Sequence, residues 1–156
     1  MQTQKNMKIR KAKPEDYRKI ANLRKKTFNE INAKTGDYTK EQIEILNKKN
    51  PPKRILEKMQ ERKMFCLIDK GKILGVVDLK DNKIGGLFIR HNYIRTGLGT
   101  KLLFFIENHA KKKGIKKVRF DSTEYAKPFY IKHNYKLINK KINNLGITNY
   151  VMEKKL

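Results

Sequence analysis

Three short apolar runs in the middle of the chain constrain its fold more than any other feature. They are MFCLID (64–69), KILGVVDLK (72–80) and KIGGLFIR (83–90), and a lysine-glycine pair and an aspartate-asparagine pair separate them. Turn residues at such short intervals favour tight connections, in which each run folds back beside the previous one. The pattern predicts an antiparallel meander of three strands.

Helical patterns flank this meander on both sides. Residues 13–32 carry apolar side chains near helical spacing, and Pro14 suits the first turn of a helix. Thr39 is a plausible N-cap for the next helical run. The predicted elements are a strand (7–12), helices (13–32, 41–49, 53–63), the meander, a helix (98–113), a strand (115–122), a short helix (124–134) and a terminal hairpin (135–156).

This order of elements predicts the fold class. It is typical of an α+β or mixed α/β domain with one central sheet flanked by helices. A chain of 156 residues favours one such domain, which we assign to residues 7–156 behind a polar N-terminal tail at residues 1–6.

Charge and composition limit the possible partners. The chain has 39 basic and 15 acidic residues, a net charge of +24, which would attract nucleic acid, a ribosome or a polyphosphate cofactor. No run reaches the ~18 apolar residues of a membrane span, and the first residues lack a secretory pattern, so we expect a cytoplasmic protein without a membrane partner. Cys66, the single cysteine, is expected to be buried and inert.

The stretch YIRTGLGTKLL (93–103) places two glycines directly before a helical run. A helix N-terminus exposes unpaired N–H groups, and glycines let the backbone approach an anion, so the turn is either a phosphate site or an ordinary loop. A dinucleotide fingerprint would need a third glycine where Leu102 stands, and a nucleotide P-loop would need Gly-Lys-Ser/Thr, which this chain lacks. Both of these motifs are excluded.

Four segments in the right order resemble the GNAT N-acetyltransferase superfamily, over nearly the whole chain from about Met7. IRTGLG (94–99) is similar to the cofactor motif Q/R-x-x-G-x-G/A, and AKPFYIKHNY (126–135) to a late A-x-x-F-Y-x-x-x-G-F segment. IRKAKPEDYRKIANLRKKTF (9–28) and YVMEKKL (150–156) resemble the family's opening and closing elements. The chain departs from the motifs at Ile94 and at Asn134, where asparagine suits a left-handed backbone.

The resemblance implies a mostly antiparallel sheet of about seven strands, splayed in the middle, with acetyl-CoA bound at the splay. It implies pyrophosphate contacts from the N–H groups of residues 95–100, with backbone contacts alone at position 94, and a pantetheine arm lying along residues 87–89 like an added strand. The implied cofactor-binding residues are Leu87, Phe88, Ile89, Ile94, Arg95, Thr96, Gly97, Leu98, Gly99, Thr100 and Phe129.

Acetyl transfer to an amine also needs a general acid and a proton acceptor. Tyr130 matches the family tyrosine that protonates the coenzyme thiolate; the alternative is an aromatic side chain that only anchors its helix. The base stays open among Asp78, Glu30, Asp121, Glu124 and water. His91, His109 and His133 are expected to be structural, and no metal is expected, because no second ligand stands at metal-binding spacing.

The resemblance therefore implies an acyltransferase, one that moves an acetyl group from acetyl-CoA to a primary amine in a ternary complex. The alternative is a catalytically silent domain of the same shape that binds coenzyme A, RNA or the ribosome through its basic surface. Net charge favours an acceptor on an acidic protein, peptide or metabolite over a polyamine, unless Glu30, Asp37 and Asp78 cluster at the pocket. Monomer and homodimer stay open.

Overall fold

A seven-stranded sheet organises the computed structural model, which describes residues 6–156. Five α-helices pack around the sheet in this described part of the chain. The strands are β1 (Met7–Lys11), β2 (Lys63–Asp69), β3 (Lys72–Lys80), β4 (Lys83–Ile89), β5 (Lys117–Ser122), β6 (Lys136–Ile142) and β7 (Thr148–Lys155). The helices are α1 (Tyr17–Thr35), α2 (Lys40–Lys49), α3 (Arg54–Glu61), α4 (Leu98–Lys112) and α5 (Lys127–Lys132).

The strand order is β1-β2-β3-β4-β5-β7-β6. The meander predicted for β2, β3 and β4 is confirmed, and β1 extends it as a further antiparallel neighbour. The terminal hairpin is also confirmed, because β6 and β7 pair antiparallel. The predicted fold class, a mostly antiparallel sheet of seven strands splayed in the middle and flanked by helices, is therefore correct.

The splay lies between β4 and β5, the parallel pair at the centre of the sheet. In the described chain these strands pair at two positions, Lys83 with Arg119 and Ile84 with Phe120. Beyond Ile84 the two strands separate, so the following part of β4 carries an unpaired edge toward β5. A bulge at Gly85 sits at the point of separation, since Leu79 pairs with Ile84 and Asp78 already pairs with Gly86.

The bulge also decides which β4 side chains face which core. Ile84 and Ile89 belong to the core under α4, and Leu87 packs against that core. Phe88 packs on the opposite side, against the core that α1 and α3 cover. The sheet therefore has an α4 side and an α1 side, and the opening between β4 and β5 has walls from both.

Local signals in the sequence are confirmed at several element ends. Thr39 caps α2, accepting a hydrogen bond from the Gln42 N–H at 3.1 Å while the Gln42 side chain accepts one from the Thr39 N–H. Asn134 has a left-handed backbone with φ of 70° after the short helix α5. The first residues of the polar tail, 1–5, lie outside the described residues, so the boundary set after residue 6 stays a prediction.

Candidate active site

A cleft of about 770 Å³ opens at the splay. One wall is helix α1, the floor is the separated part of β4, and the opposite wall is α5 with the loop that leads into α4. Within residues 6–156, no helix is long and apolar enough to cross a membrane.

The glycine loop forms the rim of this cleft before α4. Arg95 and Gly97 both adopt left-handed backbones, with φ of 67° and 86°, and α4 begins at Leu98. The Thr96 hydroxyl donates to the Tyr93 carbonyl and closes the loop. These consecutive turns bring the loop to the N-terminus of a 15-residue helix, where unpaired N–H groups and the helix dipole favour an anion.

Most of the cofactor-binding residues expected from the sequence line the cleft. They are Leu87, Phe88, Ile89, Ile94, Arg95, Gly97, Gly99, Thr100 and Phe129. Thr96 and Leu98 are not part of the lining: Thr96 is exposed, and the Leu98 side chain, 2% exposed, belongs to the core. An ideal Cβ at Gly99 would lie 3.4 Å from the Phe129 ring, so α4 and α5 already touch at this point.

Tyr130 lies at the wall of the cleft on the α4 side. Its side chain is 2% exposed and stacks on Phe120, with the ring centroids 4.2 Å apart. Burial raises the pKa of the Tyr130 phenol far above its ordinary value of 10.0, which keeps the hydroxyl protonated. Across the described chain, no group hydrogen-bonds to this hydroxyl at contact distance. The Tyr130 hydroxyl therefore carries its proton and has no partner within the described chain, so it can donate a hydrogen bond to a group bound in the cleft.

A pair of polar side chains beside Tyr130 was not expected from the sequence. Thr100 Oγ1 lies 3.0 Å from His133 Nε2, and both residues line the cleft. The His133 ring also packs edge-on against Phe129, with the ring centroids 4.7 Å apart. Burial lowers the pKa of His133, which favours the neutral imidazole. The available signal was the spacing of Phe129 and His133, four residues apart on one helix face.

The four candidate carboxylates lie in different environments. Glu30 is exposed and is not part of the cleft lining, and exposed Glu124 forms an ion pair with Lys127 at 3.7 Å. Asp121 lines the cleft and pairs with Lys83 at 2.8 Å. Asp78 is 2% exposed, pairs with Arg62 at 3.2 Å, and lies directly behind Gly86, whose ideal Cβ would be 3.5 Å from Asp78 Oδ2. Of these four, Asp121 lines the cleft and Asp78 lies behind its floor; Asp37, which is not one of the four, also lines the cleft.

Helix α1 contributes a set of cleft residues that sequence reasoning also missed. Arg24, Thr27, Phe28 and Ile31 follow one another at helical spacing and face the opening. The Thr27 hydroxyl donates to the Ile89 carbonyl at 2.9 Å, which fixes the helix to the end of β4. The signal in the sequence was an arginine and a threonine on the same helix face as apolar residues.

Comparisons with known proteins agree with this geometry. The family model for the acetyltransferase (GNAT) domain matches residues 34–156. A search of curated protein sequences found no significant match to this chain.

Solved structures share the fold at low sequence identity. A GCN5-related N-acetyltransferase from Rhodopseudomonas palustris has 21% identity and a TM-score of 0.87, over 96% of this chain and 95% of the other. The PaiA N-acetyltransferase from Thermoplasma acidophilum, solved in complex with coenzyme A, has 23% identity and a TM-score of 0.80, over 96% and 99% of the two chains. An aminoglycoside 6'-N-acetyltransferase complexed with coenzyme A has 15% identity and a TM-score of 0.69, over 95% and 96%.

Proposed function

The chain belongs to the GNAT acetyltransferase family, and we propose that it moves an acetyl group from acetyl-CoA to a primary amine. One observation carries the proposal: Tyr130, the glycine loop before α4 and the unpaired edge of β4 all border a single cleft. Two relatives of the same fold were solved with coenzyme A, which supports the cofactor part of the proposal.

The residues of the cleft fit the parts of coenzyme A. In our proposal the N–H groups of residues 95–100 bind the pyrophosphate, because α4 begins at Leu98 and the N–H groups of its first turn have no acceptor within the helix. Residues 87–89 pair through their backbone with the pantetheine arm, as a strand edge pairs with an added strand. Ile94 then contributes its backbone, and its side chain lines the cleft.

Tyr130 supplies the proton that completes the transfer. Acetyl-CoA provides an activated thioester; the amine nitrogen forms a bond to the acetyl carbon, the carbon–sulfur bond breaks, and the thiolate takes a proton. Tyr130 has this proton to give, because a phenol with a pKa of about 10 or above is protonated near neutral pH. The deprotonated tyrosine recovers a proton from solvent after the thiol leaves.

The amine must lose its own proton before it attacks, since a free alkyl ammonium has a pKa of about 10.4. Asp78 and Asp121 are the two carboxylates we retain for this step, and water remains the third acceptor. Glu30 and Glu124 are set aside because both are exposed and outside the cleft lining. Each retained carboxylate has a cationic partner, Arg62 at 3.2 Å from Asp78 and Lys83 at 2.8 Å from Asp121.

The substitution Tyr130→Phe tests the assigned acid. We expect kcat to fall by about 10²- to 10⁴-fold, the range of general acid catalysis, in a thiol-release assay with acetyl-CoA and a panel of amines. The free energy of unfolding should change little, because the hydroxyl has no hydrogen-bond partner to lose in the described chain. Tyr17→Phe is the control for the rate alone, because Tyr17 is half-buried outside the cleft and its hydroxyl accepts a hydrogen bond from Arg18 Nε at 2.8 Å.

Two results would contradict the proposal, one its assignment of the acid and the other its enzymatic function. A Tyr130→Phe protein with the full rate would refute the acid assignment and leave the enzyme intact. Absence of thiol release with every amine, together with RNA binding that weakens steeply with salt, would favour the silent basic domain instead.

A further inference from the structure

Arg24 is a cationic side chain of the cleft without an internal partner. It is half-buried on α1 and lines the opening, and its guanidinium lies over the Phe88 ring, 4.5 Å from the ring centroid. Among residues 6–156, no carboxylate oxygen comes within 4.0 Å of it and no acceptor is hydrogen-bonded to it. A partly desolvated guanidinium keeps its five donors for a ligand.

The position of Arg24 separates it from the proton donor. Phe88, on which it lies, faces the α1 side of the sheet, whereas Tyr130 belongs to the core on the α4 side. Arg24 and Tyr130 therefore approach the splay from opposite faces. If Tyr130 stands beside the departing thiolate, Arg24 lies on the other side of the splay, in the lining of the same cleft.

The surroundings of Arg24 carry excess positive charge. Asp78 is the one buried carboxylate behind the Gly85–Gly86 segment in the described chain, and it is held by Arg62 at 3.2 Å. Lys58 on α3 adds a third cation, and burial together with the charge of Arg24 lowers the pKa of Lys58 to about 8. One carboxylate thus faces three cations, and the imbalance favours an anionic ligand group at Arg24.

We propose that the acceptor amine carries a carboxylate, and that Arg24 binds this carboxylate through a bidentate pair while the amine reaches the splay. Such pairing matches the planar fork of a guanidinium and is stronger than a neutral hydrogen bond. The inference rests on the proposed acetyltransferase function. It names the acceptor as an amino acid or a short acidic peptide, and it argues against a polyamine, which would place cations against Arg24.

The test uses substrates that differ by the carboxylate alone. One arm compares free L-amino acids with their L-amino-acid amides, and the other compares the dipeptide amides Ala-Asp and Ala-Asn; spermidine serves as the polyamine. We measure kcat/KM for each, and the dissociation constant of each from the protein saturated with coenzyme A. In at least one arm the carboxylate should improve kcat/KM and binding by about ten- to a hundredfold, the range of a charge-assisted pair. The first arm is compared at pH-independent rates, because amidation also lowers the pKa of the amine.

Variants at position 24 link that preference to Arg24. Arg24→Gln should abolish the carboxylate preference, and Arg24→Lys, which keeps the charge and loses the fork, should restore part of it. Arg18→Gln removes the same charge from an exposed position of the same helix and should leave the preference unchanged. The affinity for coenzyme A should be the same in all four proteins.

Three outcomes would overturn the inference. The first is an equal kcat/KM and an equal dissociation constant for the carboxylates and the amides in both arms. The second is a carboxylate preference in Arg24→Gln as large as in the wild type. The third is a loss of coenzyme A affinity in Arg24→Gln, which would assign Arg24 to the cofactor. The binding measurement does not need turnover, so a protein that lacks thiol release, and thereby fails the proposed function, still tests the carboxylate site.

Discussion

Substitution of Gly85 by alanine should destabilise the protein through a buried ion pair. An ideal Cβ at Gly85 would overlap both Arg62 Nη1 and Asp78 Oδ1, closer than real Cβ contacts allow. The Arg62 guanidinium is the end of a flexible, 25% exposed side chain and can move aside, but the Asp78 carboxylate is short and 3% exposed. The added methyl group must therefore weaken the pair or force Asp78 out of its rotamer.

The size of the effect follows from two opposing terms. Loss of one partner from a fully buried pair costs about 3–5 kcal/mol, and we take about 2 because Arg62 is partly solvated. Replacing glycine by alanine in an extended strand stabilises the folded state by about 0.4–1 kcal/mol through the unfolded chain. The net loss should be about 1–2 kcal/mol, which corresponds to about 2–8 °C in Tm for a domain of this size.

Urea unfolding of the wild type, Gly85→Ala and Gly86→Ala measures this loss. Gly86 is the matched control because its ideal Cβ would lie 3.3 Å from the Phe88 ring and 3.5 Å from Asp78 Oδ2, which small shifts accommodate. We expect Gly86→Ala to stay within about 0.5 kcal/mol of the wild type. Equal stability of the two variants would refute the reasoning. So would strict additivity of Gly85→Ala and Arg62→Met, because residues that act through one ion pair are coupled.

Two further predictions concern the glycine loop and the cysteine. Gly97→Ala should cost about 1–2 kcal/mol, because its φ of 86° strains any side chain although no atom lies within 4 Å of the new Cβ. Gly114→Ala is the control, because Gly114 has a φ of 81° beyond the end of α4 and should lose the same free energy of unfolding. Calorimetric titration should show weaker coenzyme A binding for Gly97→Ala alone. Equal affinities of the two variants would show that the glycine loop does not bind coenzyme A. Burial raises the pKa of Cys66 from 9.0 to about 12, so its thiol should resist Ellman's reagent at pH 8 until urea unfolds the chain, and rapid native-state reaction would contradict its burial. Because the folded state holds this proton more tightly, the Cys66 contribution to stability is complete below pH 9 and declines between pH 9 and about 12.

The elements of this fold could be predicted because their signals are local. Thr39 marked the start of a helix, Asn134 marked a left-handed turn, and the short apolar runs marked the meander. Each of these features depends on residues a few positions apart, so a short stretch of sequence is enough to predict it.

The bulge in β4 was only partly visible in this way. The pair Gly85–Gly86 is the kind of signal that accompanies a bulge. Which glycine is left unpaired depends on the register with β3, where Asp78 pairs with Gly86. That register is set by packing on both faces of the sheet, which a reading of β4 alone does not contain.

The missed site residues depend on contacts between distant segments. Arg24 reaches the cleft because Thr27 ties α1 to the Ile89 carbonyl, 62 positions along the chain. His133 reaches it because α5 packs against the start of α4, where it meets Thr100. The choice among the carboxylates likewise needed their exposure and ion pairs, which no spacing in the sequence encodes. A protein's site chemistry is thus less local than its secondary structure.

The splay between β4 and β5 has a consequence for how sequences of this shape can diverge. Under the proposed mode of binding, peptide N–H and C=O groups of residues 87–89 and 95–100 contact the ligand, and every amino acid except proline supplies both groups. Side chains at these positions can then change as long as the opening and its left-handed turns persist. Such a site depends on backbone geometry more than on the identity of its side chains. The fold itself tolerates such change, since a Rhodopseudomonas palustris structure superposes on this chain with a TM-score of 0.87 at 21% sequence identity.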